Sequence, residues 1–306
     1  MPSSDLPALL PVLQRIAESL ERLASNAPAP WADPADPRHE RFIWRGEKSG
    51  LHALGGPSEN GVSGTLPLSL LCGLEGQKKQ LLQNTRLFAR GQRGNHALLW
   101  GARGMGKSSL VRSLVGQVNE EIRAGRLAVP GTLALVEVSR SGLGALHALL
   151  DRLGNVRRQM ILFLDDLSFE SEDEDYKSLK SLLDGGLAGC PDNVLLYATS
   201  NRRHLMPRSR IEGDEIAELP AGLQGSETVE ERISLSDRFG LWLGVHGARQ
   251  EDYLRIVHAH AQHRGLALPA AELEKRALAW SLARGARSGR VAAQFITALA
   301  AEQAGT

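Results

Sequence analysis

Residues 98–114 read LLWGARGMGKSSLVRSL: three glycines in six positions, then Lys107, Ser108 and Ser109, with apolar residues on both sides. Glycine weakens any regular element, so a cluster of glycines between two ordered segments marks a turn whose backbone must approach something closely. The spacing of Gly101, Gly106, Lys107 and Ser108 matches G-x-x-x-x-G-K-[ST]. In that pattern backbone N–H groups turn inward around phosphate oxygens, and the following helix aims its positive dipole end at the same anion. Gly101, Ala102, Arg103, Gly104, Met105, Gly106, Lys107, Ser108 and Ser109 are therefore the candidate phosphate-binding residues. Lys107 would neutralise β- and γ-phosphate charge, and the Ser108 hydroxyl would ligate Mg²⁺. A glycine-rich turn with a chance lysine is the bland alternative. Against it, the motif follows a predicted strand and opens a predicted helix, as its geometry demands.

Two further stretches end apolar strands in polar residues. In MILFLDDLSFE, residues 160–170, Asp165 and Asp166 follow five apolar residues. Ligands of open parallel sheets collect at the carboxyl ends of strands, so Asp165 is a candidate Mg²⁺ ligand beside Ser108. Asp166 is a candidate to orient or deprotonate an attacking water. Two solvated acids at a strand end are the alternative. In VLLYATSN, residues 194–201, Asn201 stands at a strand tip, where an amide could hold that water. Taken alone, it would be an ordinary strand-to-loop asparagine.

The rest of the chain sets the frame. Predicted strands at 97–100, 133–138, 160–164 and 194–198 alternate with helical segments, including 77–90, 107–123 and 176–183. That implies an α/β fold with a parallel sheet covered by helices on both faces. After Gly247 the pattern turns helical: 251–263, 270–284 and 290–300. The expected organisation is an amphipathic helix over 1–26, a linker and loop-rich segment over 27–66, a nucleotide-binding core over 67–247 and a helical unit over 248–306. The first segment carries Leu6, Leu9, Leu13, Ile16, Leu20 and Leu23 at alternating steps of three and four. That stripe suits a short coiled-coil contact or packing on the chain itself.

With 36 Lys+Arg against 35 Asp+Glu, net charge gives no global footprint for nucleic acid. Arg202, Arg203, Arg208 and Arg210 form a local basic cluster without interleaved aromatics, and read as a salt-bridged loop. Cys72 and Cys190 are far apart and suit a reducing compartment. His258, His260 and His263 fall on different sides of one helix, so they read as surface or packing residues and not as a metal set. No apolar run reaches a membrane span and the start MPSSDLPALL has no basic leader, so a cytoplasmic location and no membrane partner are expected.

The order of these stretches resembles the AAA+ ATPases over roughly residues 68–303. GARGMGKS matches Walker A, LFLDD matches Walker B, and Asn201 matches sensor 1. SLSDRFG, residues 234–240, resembles the arginine-finger segment and implies that role for Arg238. RSGRVAAQF, residues 287–295, resembles the sensor 2 helix of a small all-helical lid and implies Arg290, with Arg287 as second choice. LLCGLEGQ, residues 70–77, resembles the segment bordering the adenine, which implies Leu71, Gly73 and Leu74 as pocket residues. WGARGMGKSSL, LDDLSFE, YATSNRRHLMPR and SDRFGLWLGV together resemble an uncharacterised bacterial family of small AAA+-type ATP-binding proteins.

The resemblance implies a P-loop NTPase fold, ATP and Mg²⁺ as cofactors, ATPase activity, self-association through a finger acting in trans, and an unknown macromolecular client. One departure stands out. Many AAA+ proteins end Walker B in Asp-Glu, and this chain has Asp-Asp, one methylene shorter. That bears on turnover more than on ATP binding, with Glu170 as a possible assistant. An ATP-gated switch that hydrolyses little is the competing reading. A P-loop kinase is a third, weakened by the lack of an acceptor site. No NKxD motif supports a GTPase.

Overall fold

The computed structural model describes residues 31–55, 65–167, 174–183, 189–201 and 238–304. The N-terminal stripe, Glu170, the basic cluster at 202–210 and residues 234–237 lie outside them. Among the described residues, seven strands form one sheet: β1 (Arg41–Trp44), β2 (Leu51–Ala53), β3 (Ala97–Gly101), β4 (Ala134–Val138), β5 (Met160–Leu164), β6 (Val194–Ser200) and β7 (Leu241–Val245). Their order is β2-β1-β4-β5-β6-β3-β7. All neighbours are parallel except the β1–β2 pair.

The central strands are apolar throughout because both of their faces are covered. Alternation then sorts side chains between two cores. Met160, Leu162 and Leu164 join Val194, Leu196 and Ala198 on one face, where α3 (Leu146–Gly154) contributes Leu146, Leu149, Leu150 and Leu153 and α4 (Glu174–Leu183) contributes Leu179 and Leu182. Ile161, Phe163, Leu195 and Tyr197 point to the other face. There they meet α1 (Glu75–Ala89), through Leu81 and Phe88, and α2 (Lys107–Arg123), through Leu110, Val111, Leu114 and Val118. Beyond β7, α5 (Gln250–His263), α6 (Ala270–Ala283) and α7 (Gly289–Ala304) close a third core around Tyr253, Val257, Ala277, Ala292 and Ile296. Among the described residues no helix is long and apolar enough to cross a membrane.

Three strands differ from the sequence expectation. The 27–66 segment, expected as linker and loop, contributes β1 and β2. Phe42 and Trp44 are fully buried, and β1 pairs in parallel with β4. These strands span four and three residues, too short for alternation to stand out. β7 was hidden by Gly244, which interrupts its apolar run. A Cβ at that position would lie 2.7 Å from Trp100 Cζ2, so the glycine makes room for the tryptophan on β3.

One side chain gathers several carbonyls of the segment leading into β1. Arg158 donates from Nη1 to the carbonyls of Pro34, Asp36 and His39 at 3.1, 2.9 and 2.8 Å, and from Nε to Thr132 at 3.0 Å. Its Nη2 reaches Thr132 Oγ1 at 3.1 Å. Burial pulls its pKa down, and the converging carbonyl dipoles supply the compensation a half-buried cation requires. Only a planar fork serves that many acceptors at once. Replacing Arg158 with Lys is expected to destabilise the fold by about 2–3 kcal/mol, because carbonyls are left without donors. Urea titration measures this, and a loss under about 0.5 kcal/mol would refute the clamp.

Candidate functional site

The glycine-rich stretch leaves the sheet from β3, which lies between β6 and β7 while the chain itself continues to β4. That jump makes a crevice at the carboxyl ends of the strands, the place where such sheets hold ligands. Gly101 has φ +127°, and a Cβ there would lie 2.0 Å from the Val245 carbonyl oxygen. Gly104 and Gly106 also have positive φ, +74° and +87°, which turns the loop back on itself and starts α2 directly after it.

Lys107, the first residue of α2, is only 6% exposed. Its Nζ donates to Gly101 O at 2.8 Å, Ala102 O at 2.9 Å and Asn201 Oδ1 at 3.0 Å. Burial lowers its pKa, while Asp166 and Asp165 act in the opposite direction. Ser108 donates its hydroxyl to Asp165 Oδ1 at 2.5 Å. The serine oxygen therefore keeps its lone pairs for a cation. Thr199, on β6, accepts from the Asp166 N–H at 2.8 Å and donates to Asp165 Oδ1 at 2.6 Å. Asn201 donates from Nδ2 to Asp166 Oδ1. Asp166 itself sits at φ +53°, a left-handed conformation that aspartate tolerates better than most residues.

These groups line a cavity of about 620 Å³. Arg103, Gly104, Met105, Gly106, Lys107, Ser108, Ser109, Asp165, Asp166, Asn201 and Arg290 all face it, as does Leu71. Gly101 and Ala102 do not line it; they hold Lys107 through their carbonyls instead. Gly73 and Leu74 are likewise absent from the lining, contrary to the adenine-border expectation. Gly73 turns at φ +82° toward Asp252, and Leu74 is 1% exposed, beneath the loop near Gly106. Arg238 is partly buried just ahead of β7 and is not among the lining residues. Arg287 belongs to a separate shallow depression beside α6.

Several lining residues escaped the sequence reading. Leu70, Cys72, Ile256 and Ala293 supply apolar wall, and Thr199 and Arg112 surround the carboxylates. His260, expected as a surface or packing residue, also lines the cavity, and burial lowers its pKa. Helix spacing separates it from His258 and His263, and only the approach of α5 to the loop reveals its position.

The chemistry of the lining suits a polyanion with a hard cation. Arg103, Lys107 and Arg290 face two lining carboxylates, Asp165 and Asp166, and Arg112 is already engaged by Asp165. Ser108 and Asp165 offer hard oxygen donors, as Mg²⁺ requires. Among the described residues no group of three or more His, Cys, Asp or Glu could hold a metal. A cation here would take few protein ligands and depend on phosphate oxygens, the usual habit of Mg²⁺ at nucleotide sites.

The α7 helix closes the far side by a backbone contact. The Arg290 N–H donates to Gly104 O at 3.0 Å. A Cβ on Gly104 would come within 3.0 Å of Ser288 Oγ, and one on Gly289 within 3.2 Å of Gly104 O.

Comparison with known proteins places this architecture. Among solved structures, the chain is similar to the Aeropyrum pernix ORC1 protein in complex with DNA, at 17% identity and TM-score 0.52, over 80% of this chain and 63% of that one. It is also similar to the Thermotoga maritima RuvB Holliday junction branch migration motor, at 17% identity and TM-score 0.43, over 76% and 72% of the two chains. A search of curated proteins finds no match. The family model described as "Protein of unknown function (DUF815)" matches residues 37–303. With its mostly parallel seven-stranded sheet and flanking helices, the chain has the AAA+ P-loop NTPase fold and belongs to the DUF815 family.

Proposed function

We propose that this protein binds ATP with Mg²⁺ in the cavity and hydrolyses it, coupling the cycle to remodelling or loading of a macromolecular partner. The observation that carries the reading is the convergence of Lys107, Ser108, Asp165, Asp166 and Asn201, from the ends of three strands, on one cationic cavity. In this reading the loop backbone and Lys107 bind the phosphates. Ser108 and Asp165 would hold Mg²⁺, which when bound neutralises charge on the phosphate oxygens. Asp166 orients or deprotonates the attacking water. Asn201 accepts from Lys107 and donates to Asp166, so it fixes the distance between the cation on the phosphate and the base. Arg290 faces the same cavity from α7.

The helical unit over 248–306 would act as a lid on the core over 67–247. Arg238 would act on the nucleotide of a second copy, a reading supported by its place outside the cavity of its own chain. A local ion pair at the joint before β7 is the competing role. The client is a macromolecule, and a cytoplasmic location fits the cysteine usage. A second reading, an ATP-gated switch with little hydrolysis, draws on Asp166 itself, a short acid at φ +53° tied by Asn201. Steady-state phosphate release distinguishes the two.

Replacing Lys107 with Ala is expected to weaken MgATP binding by ~100-fold, about 2.7 kcal/mol, through loss of a charge-assisted contact. Calorimetry on a variant that still melts cooperatively measures this, and unchanged affinity would overturn the phosphate site. Asp166→Asn should keep ATP affinity and lose turnover. Asp166→Ala should lose turnover too, but be less stable than Asp166→Asn by about 1 kcal/mol, because alanine tolerates φ +53° less well. Equal melting temperatures of these two variants would contradict the left-handed backbone, and full turnover in either would remove Asp166 as the base.

Arg238→Ala should bind ATP normally and turn over slowly, since arginine fingers contribute ~10³–10⁵ in rate in other phosphoryl-transfer systems. Mixing it with Lys107→Ala should restore part of the activity, each variant supplying what the other lacks. A mixture no more active than its parts, together with concentration-independent wild-type turnover, would exclude a trans finger.

A further inference from the structure

Arg112 has no part in the function above, yet it faces the same cavity from α2. Its guanidinium makes two parallel bonds to Glu137 on β4, Nε to Oε1 at 2.8 Å and Nη2 to Oε2 at 3.0 Å. Nη2 also donates to Asp165 Oδ2 at 3.1 Å. The guanidinium carbon stands 5.3 Å from the centre of the Phe163 ring on β5. Fork, ring and carboxylate together fix the plane of the arginine before any ligand arrives.

The contacts on Asp165 are unequal. Ser108 and Thr199 both donate to Oδ1, at 2.5 and 2.6 Å. Two bonds on one oxygen leave a carboxylate able to swing about that oxygen. Among the described residues, Arg112 makes the hydrogen bond to Oδ2. That third contact determines the orientation of the carboxylate plane.

We propose that Arg112 is a positioning residue that, braced by Glu137, sets the orientation of Asp165 and through it the metal dependence of nucleotide binding. The inference rests on the reading of Asp165 as the Mg²⁺-side carboxylate. Groups that orient a metal ligand from outside typically contribute ~10–100-fold to metal affinity. Arg112 thus acts where Asp165 acts, on the metal-dependent part of binding, and leaves the metal-free part alone.

The test compares ATP affinity, by calorimetry, in excess Mg²⁺ and in EDTA. The ratio of the two dissociation constants is the metal increment. Arg112→Gln should shrink that increment by ~10-fold while affinity in EDTA stays within about twofold. Arg112→Lys should not rescue it, because a point charge cannot bridge Glu137 and Asp165 with a fixed plane. In turnover, Arg112→Gln should raise the Mg²⁺ concentration for half-activation, and KM for ATP at saturating Mg²⁺ should rise in step with the calorimetric shift.

Loss of Arg112 leaves Glu137 with only the longer contact from Arg41 Nη2, 3.5 Å from Oε1, so the double variant Arg112→Gln/Glu137→Gln serves as the folding control. It should melt closer to wild type and keep the small increment. Recovery of the increment together with stability would overturn the proposal, since Arg112 would then act only through the fold. Equal weakening in Mg²⁺ and EDTA would overturn it too, because a guanidinium touching phosphate directly needs no metal. A wild-type chain without any metal increment would overturn the site reading itself and this proposal with it. A normal wild-type increment that Arg112→Gln leaves intact would overturn this proposal alone.

Discussion

The site depends on two backbones passing closer than any side chain permits. Gly101 closes β3 opposite Val245, the last residue of β7, and a methyl group on Gly101 would collide with the Val245 carbonyl. The same carbonyl accepts the Ala102 N–H at 3.0 Å. The loop therefore departs from a point fixed by the neighbouring strand. Lys107 then folds back on the carbonyls of Gly101 and Ala102, so the position of its charge is inherited from β7. A strand that contributes no side chain to the cavity lining thus underlies the placement of its most buried cation.

Around that cation the polar groups form a closed set of donors and acceptors. Thr199 accepts a hydrogen bond from the Asp166 N–H and donates one to Asp165, tying β6 to the end of β5. The following Leu167 N–H bonds the Thr199 carbonyl at 2.7 Å, and Ser200 bonds the Leu167 carbonyl at 2.8 Å. Such pairing on both sides can sustain a left-handed aspartate between them, a conformation that persists only where the surroundings over-determine it. The two adjacent acids consequently face different partners: Asp165 meets hydroxyls and Arg112, and Asp166 meets the amide of Asn201.

What the sequence made legible was local. The loop, the central strands and the paired acids each announce themselves within a dozen residues, through period, glycine spacing and strand-end polarity. Leu71 lines the cavity, whereas Gly73 and Leu74, in the same stretch, do not. Three positions along a helix entry are enough to move a side chain from pocket wall to core, and no one-dimensional pattern records where the wall ends. β1 and β2 escape a sequence reading because a very short strand takes its identity from its neighbour, and β7 because Gly244 interrupts its apolar run. Arg112 and Thr199 were invisible for a related reason. Their partners lie 53 and 34 residues away, and ordinary arginines and threonines carry no mark of such a partnership.

The contact between α7 and the loop has a consequence for how this protein can vary. The bond runs from a main-chain N–H at Arg290 to a main-chain carbonyl at Gly104, so it does not depend on the Arg290 side chain. Ordinary substitution can recolour the cavity around it, changing charge or base preference, without loosening the attachment of helix to loop. The attachment can be altered only where bulk intrudes, at Gly104 and Gly289, whose missing side chains leave the gap through which the two backbones meet. The mechanical link and the chemical surface are therefore free to drift separately, the first guarded by two glycines and the second open to change.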